Sequence, residues 1–219
     1  MPVRHRKILL LDLDGTLVDP AEGIVASARY ALQRMGVATE PDEDLTWLIG
    51  PSIRISFARL LAERGGRTDP ADVEAAVAHY RERYAAWGLT RATPYPGMRE
   101  TLTRRRAAGD RLILCTAKAQ PFAEKVVAHF GFDDLLHAVY GPGLDGRLEH
   151  KAELMAHLLA AEGIDPGQAC MIGDREHDIL AARHNGVASI GVLWGYGDRD
   201  ELANAGADLI IDRPEELLG

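Results

Sequence analysis

Cysteine is nearly absent from this chain of 219 residues: only Cys115 and Cys170 carry thiols. There is no CxxC pair and no His/Cys spacing of the kind that holds zinc, which excludes a disulfide framework and a structural zinc site. Both thiols read as buried members of apolar runs. Long apolar runs are missing as well. The basic segment 1–7 leads into a short apolar stretch that Asp12 interrupts, which fits neither a secretory signal nor a membrane span. The expected location is the cytoplasm, with no membrane partner. Positive charge is in deficit: a net charge of −8 disfavours a nucleic-acid polymer, whose binding depends on clustered Lys and Arg neutralising phosphates. A small anion is not excluded, because it needs only a local positive site built from a metal ion, one lysine and helix N-termini. Internal repeats and low-complexity tracts are also lacking.

What is present is an ordinary globular composition, 47% hydrophobic and 26% charged. The length suffices for one sizeable α/β domain, or a core carrying a smaller insertion, without help from disulfides or metal in folding. Residues 8–11 form a short apolar run ending in acidic residues and Gly15, the pattern of a parallel strand buried on both faces. Similar runs recur at 112–115, 169–172 and 189–193, with weaker ones near Val139 and at 209–211, and they alternate with helical stretches. This predicts an α/β fold with a Rossmann-like parallel sheet, helices on both faces, and ligands beyond the carboxyl ends of the strands.

Residues 20–93 read as helix throughout and look like an all-helical insertion, leaving 1–19 and 94–219 as the core. Ile24, Ala28 and Leu32 share one helical face; Ile53, Phe57, Leu60 and Leu61 share another; Val73, Val77, Tyr80, Tyr84 and Trp87 make a third. These stripes are read as core packing. Gly36, Gly65 with Gly66, and Pro70 punctuate the helices, and Pro94, Pro96 and Gly97 mark the return to the core.

Four groups of residues carry chemistry. In Asp12-Leu13-Asp14-Gly15-Thr16-Leu17 two carboxylates two residues apart project to the same side of a strand end, so one can attack while the other handles protons. A carboxylate is a competent nucleophile toward phosphorus when a metal screens the repulsion between anions. Thr116 directly follows a strand, where its hydroxyl and nearby N–H groups can hold a phosphoryl oxygen or simply cap. Lys118 either adds charge there or belongs to a solvated loop. Lys151 opens a helix after the turn-rich stretch 141–146, in a chain where lysine is scarce. Its rotating ammonium suits joining a carboxylate to a phosphate, although a surface lysine looks the same in isolation. In Gly173-Asp174-Arg175-Glu176-His177-Asp178, Asp174 stands at a strand end and Asp178 four residues on faces the same way. Hard oxygen donors from several strand ends suit Mg²⁺. His177 reads as a solvated helix residue rather than a ligand.

Taken in order, Asp12-x-Asp14-Gly15-Thr16, Thr116, Lys151 and Gly173-Asp174-x-x-x-Asp178 resemble the four motifs of the haloacid dehalogenase superfamily. The likeness spans the chain and includes an all-helical cap inserted after the first motif, as in phosphoglycolate phosphatases and β-phosphoglucomutases. It implies that Asp12 is the nucleophile and that Asp14 is the general acid and later the base. It also implies that Thr116 and Lys151 bind the transferring phosphoryl group. Mg²⁺ would be held by Asp12, the backbone carbonyl of Asp14 and Asp174, with Asp178 supporting it directly or through water. The implied partner is a small phosphomonoester, for a monomer or homodimer. Residues 48–52 with Arg54 and Phe57, and 191–197, look like the phosphoglycolate-phosphatase and bacterial 5′-nucleotidase-like branch. There Arg54 and the 48–54 loop, with Lys118, are expected to touch substrate. Ala117, Ala119 and His150 depart from many relatives beside the site and bear on substrate more than on reaction class.

Three other readings compete. A dehalogenase shares the nucleophile but needs no acid at the second position, so Asp14 argues against it. A phosphomutase shares every core motif and differs in how its cap excludes water. A regulatory receiver-like module also places an aspartate, a Thr and a Lys at strand ends, yet a helical insertion suits turnover better.

Overall fold

The computed structural model describes residues 3–40, 42–65 and 69–218; Gly66, expected to break a helix together with Gly65, lies outside them. The chain divides into two compact units, Met1–Asp19 with Thr93–Gly219, and Pro20–Ala92. The strands are β1 (Ile8–Leu11), β2 (Val18–Asp19), β3 (Thr93–Pro94), β4 (Arg111–Cys115), β5 (Ala138–Tyr140), β6 (Ala169–Gly173), β7 (Ala188–Val192) and β8 (Leu209–Ile211). The helices are α1 (Ala21–Arg34), α2 (Ile53–Gly65), α3 (Pro70–Ala86), α4 (Met98–Ala107), α5 (Gln120–His129), α6 (Lys151–Glu162), α7 (Glu176–His184) and α8 (Arg199–Ala205).

Six strands make one parallel sheet in the order β5-β4-β1-β6-β7-β8, while β2 and β3 pair antiparallel beside it in sequence. The core is Rossmann-like, as the alternation of apolar runs and helices predicts. β1 lies at the centre because Leu9, Leu10 and Leu11 are apolar on both faces and all buried. On one face Leu10, Ile113, Cys115 and Met171 pack with Leu154, Met155 and Leu158 of α6 and Ala181 and Ala182 of α7. On the other, Leu9, Leu11, Leu112, Leu114 and Ile172 are equally buried. Each such side chain contributes roughly 1.5–3 kcal/mol on leaving water, so a polar residue anywhere in β1 would be costly until the strand ends. Leu11 stands beside Leu114 of β4 and Ile172 of β6, which brings the carboxyl ends of three neighbouring strands out together. The chain runs from β1 outward through β4 to β5 and then returns to β6 on the other side, so β1 sits at a topological switch point.

The second unit is helical but not helix throughout. α1 stops at Arg34, Gly36 takes φ +69°, and among the described residues no regular helix resumes before a 3₁₀ turn at Thr46–Leu48. Asp44 accepts hydrogen bonds from the N–H and hydroxyl of Thr46, a local bond that competes with helix. Ile24, Ala28, Leu32, Phe57, Leu60, Leu61, Val73, Val77, Tyr80 and Tyr84 are buried as their spacing predicts. Tyr80 stacks on Tyr84 at 5.5 Å and meets Phe57 edge-on at 6.0 Å. Trp87 departs from the expected stripe. It ends α3 half-exposed, with the guanidinium groups of Arg83 and Arg91 over its ring at 4.6 and 5.0 Å.

Candidate active site

The site begins one residue past β1. Asp12 donates its N–H to Ile172 O at 3.0 Å, still in register with β6, and the chain then turns sharply. Leu17 and Val18 both donate to Leu13 O, and Gly15 donates to Val18 O at 2.8 Å with φ +88°. That left-handed conformation favours glycine, and a methyl on Gly15 would overlap the carboxylate of Asp174. Thr116 follows β4, Asp174 follows β6, and Lys151 is the first residue of α6; all are buried with Asp12, Asp14 and Asp178.

Lys151 Nζ donates to Asp12 Oδ1 at 2.7 Å and also to Asp178 Oδ1. The other oxygen of Asp178 accepts the N–H of Arg175 at 3.0 Å, so the first turn of α7 fixes this carboxylate. Thr16 Oγ1 donates to Asp174 Oδ1 at 3.2 Å, and the N–H of Tyr196 donates to Asp174 Oδ2 at 2.8 Å. Thr116 Oγ1 accepts the N–H of Lys118 at 3.2 Å. Lys118, for which the sequence leaves charge donor and solvated loop residue both open, is half-buried, its side chain largely covered and its Nζ 2.9 Å from Asp14 Oδ2. His177 is half-buried, and burial, with Arg175 beside it, lowers its pKa. It is not among the clustered carboxylate ligand atoms. Arg54 belongs to the helical unit, where its guanidinium grips Glu74 through Nε at 2.5 Å and Nη2 at 2.9 Å.

One ligand atom each from Asp12, Asp174 and Asp178 lie within 4.8 Å of one another. Packing carboxylates this closely out of water penalises their charged forms. Burial, reinforced by Asp178 and Asp12, raises Asp174 well above the usual carboxylate range. Burial also raises Asp178, to about 6, against the pull of Lys151. Asp14 is raised for the same reason, with Lys118 opposing. Burial alone would lower the pKa of Lys151, but Asp12 and Asp178 outweigh it and keep the ammonium charged. The donor set fits a hard divalent cation: three buried carboxylates with no thiol or imidazole among them. Asp14 Oδ1, moreover, is buried without a hydrogen-bond partner among the described residues.

Sequence reasoning missed the side-chain role of Thr16, the pairing of Lys118 with Asp14, and the part played by Trp194 and Tyr196. The signal for the last was present: an aromatic, glycine, aromatic, glycine string at 194–197 marks close backbone approach. Methyl groups on Gly195 or Gly197 would overlap Asp174.

The chain's residues 9–192 match the family model of haloacid dehalogenase-like hydrolases, and the chain belongs to that superfamily. It falls in the phosphoglycolate phosphatase and 5′-nucleotidase-like branch, with a helical cap domain. A 5′-nucleotidase of Pseudomonas aeruginosa is 44% identical over 89% of this chain and 86% of its own length. The tyrosine-protein kinase PtkA of Mycobacterium tuberculosis is 34% identical over 100% of this chain and 74% of its own. Among solved structures, a predicted phosphatase from Clostridium acetobutylicum superposes with a TM-score of 0.91, at 33% identity, over 97% of this chain and 96% of that one. No helix among the described residues is long and apolar enough to cross a membrane.

Proposed function

We propose that this protein is a Mg²⁺-dependent phosphatase of small soluble phosphomonoesters that works through a phosphoryl group carried on Asp12. The observation that supports it most is the difference between the first-motif carboxylates. Asp12 Oδ1 lies 2.7 Å from Lys151 Nζ, which also joins Asp178, whereas Asp14 meets a separate lysine, Lys118, at 2.9 Å, and burial raises its pKa. Two carboxylates with separated tasks, a nucleophile and a proton carrier, are what phosphoryl transfer to and from an aspartate requires.

In the first step an oxygen of Asp12 bonds to phosphorus as the bond to the leaving oxygen breaks, and Asp14 gives that oxygen its proton. In the second, Asp14 as carboxylate takes a proton from water. The water oxygen bonds to phosphorus, the bond to Asp12 breaks, and inorganic phosphate departs. Thr116 and Lys151 hold the transferring phosphoryl oxygens. Mg²⁺ would be held by Asp12, the carbonyl of Asp14 and Asp174, and when bound it supplies the positive charge that offsets the repulsion between carboxylate and phosphate. Asp178, unlike Asp174, is joined to the Lys151 ammonium, whose positive charge would oppose a cation on the same carboxylate, which favours a supporting over a direct role.

The helical unit 20–92 is read as the cap that selects the substrate. A phosphoglycolate-like or nucleoside 5′-monophosphate-like ester is the class suggested by the relatives. Arg54 and Lys118 are the residues proposed to meet it, Arg54 by sharing or replacing its pair with Glu74. The likeness to PtkA supports a second reading, transfer to protein tyrosine. Phosphate release from 2-phosphoglycolate, nucleoside 5′-monophosphates, sugar phosphates and an aryl phosphate, with Mg²⁺ and with EDTA, tests the proposal; ATP with a tyrosine peptide forms a separate arm. Magnesium-dependent release is expected. Tyrosine phosphorylation or sugar-phosphate isomerisation without release would replace it with the kinase or mutase reading.

A further inference from the structure

Residues 193–197 end the stretch 191–197 that resembles the phosphoglycolate-phosphatase and 5′-nucleotidase-like branch, and none of the steps above uses them. Their contacts converge on the active site. Trp194 donates its indole N–H to Thr16 O at 3.0 Å, reaching the first-motif turn. The hydroxyl of Tyr196 donates to Asp19 Oδ1, at the end of β2. Between these two anchors the N–H of Tyr196 meets Asp174 Oδ2 at 2.8 Å. Gly195 lies so close that a Cβ would overlap both Gly15 O and the Asp174 side chain, and a Cβ on Gly197 would overlap Asp174 O. Asp174 is thus gripped on one oxygen by Thr16 and on the other by this loop, in a fully buried position.

A carboxylate has about four lone-pair sites. One hydrogen bond on each oxygen stops its rotation and leaves the remaining lone pairs aimed in a fixed direction. Partners that orient a ligating carboxylate are worth roughly 10–100-fold in metal affinity. We infer that Trp194 and Tyr196 are positioning residues: by anchoring the 193–197 loop to Thr16 and Asp19 they hold the N–H that aims Asp174, and so set the protein's affinity for its divalent cation. The inference rests on the metal-dependent reading above and deepens it.

Mn²⁺ serves as the probe, with free ion counted by electron paramagnetic resonance on protein without substrate. Trp194→Phe and Tyr196→Phe each remove one anchor while keeping an aromatic ring in place. Each is expected to weaken Mn²⁺ binding several-fold, and the double variant by roughly 10–100-fold. Gly195→Ala is expected to fall in the same range or beyond. Thermal melts check folding, and because the two aromatic variants are mild, the test does not depend on the glycine variant folding. In assays with Mg²⁺, the activity deficit of each variant shrinks as metal is raised, whereas a merely structural defect persists at every concentration. Asp174→Asn separates the two layers of the argument. If wild type binds Mn²⁺, Asp174→Asn does not, and the aromatic variants bind like wild type, the positioning role is overturned while the metal site stands. If wild type binds no Mn²⁺, the metal reading fails and the inference with it.

Discussion

Asp12 and Asp14 are two residues apart and meet different cations: Lys151 Nζ lies 2.7 Å from Asp12 Oδ1, and Lys118 Nζ 2.9 Å from Asp14 Oδ2. Both pairs are buried, where removing one partner costs far more than at a surface. The acid role proposed for Asp14 is supported by burial, which raises its pKa although Lys118 opposes. Asp14→Asn keeps the shape and removes the proton traffic. It is expected to slow turnover by roughly 10²–10⁴ in steady-state assays, with a lowered melting temperature because Lys118 loses its buried partner but a cooperative melt; a near-normal rate removes Asp14 from the mechanism. The two carboxylates were legible in the sequence because their spacing at the end of an apolar run leaves little else for them to do. Lys118 was legible as a candidate site residue, but its pairing with Asp14 was not. Its direction depends on how the loop after β4 is held, where Thr116 accepts the Lys118 N–H and Gln120 donates to Pro142 O across sequence-distant turns.

At the scale of elements, the fold was readable where burial is two-sided. β1, β4 and β6 are apolar on both faces, so their runs are continuous and their ends sharp. The sequence marks Gly36 as a helix break but reads helix on either side of it; after α1 the helix is instead replaced by a left-handed Gly36 and an Asp44–Thr46 turn, a local side-chain bond that apolar spacing does not reveal. Trp87 was assigned to the core by spacing, yet two arginines cover its ring instead. The first-motif turn tests most sharply how local conformation makes the site. Gly15 needs both its positive φ and its missing Cβ. Gly15→Ala is expected to cost about 1–2 kcal/mol from the backbone conformation alone, read from denaturant melts. It should abolish activity because the added methyl displaces Asp174. Retained activity at wild-type stability would contradict the packing of this turn against Asp174.

For the whole molecule, the clustered carboxylates tie stability to pH and to metal. Asp174 has a pKa raised by burial and by repulsion from Asp178 and Asp12, and Asp178 one raised by burial and by Asp12, to about 6. A carboxylate whose folded pKa exceeds its unfolded value binds more protons when folded. Its contribution therefore declines as pH rises from the unfolded value, near 4, through the folded one, and the metal-free protein loses stability across that window. A divalent cation held by the deprotonated cluster, as proposed, would oppose this loss. The rise in melting temperature on adding Mg²⁺ is therefore expected to be larger at pH 7.5 than at pH 5, as followed by thermal scans. An equal rise at both would place the ion away from these carboxylates. The central claim is that Asp12 carries the phosphoryl group between substrate and water. Rapid acid quench of the protein turning over an aryl phosphate with Mg²⁺, followed by mass spectrometry of its peptides, tests it most directly. The account predicts one added phosphoryl group on the peptide containing Asp12, more abundant in Asp14→Asn and absent from Asp12→Asn, which stays folded and inactive. Turnover in Asp12→Asn, or a phosphoryl group on another residue, would contradict it.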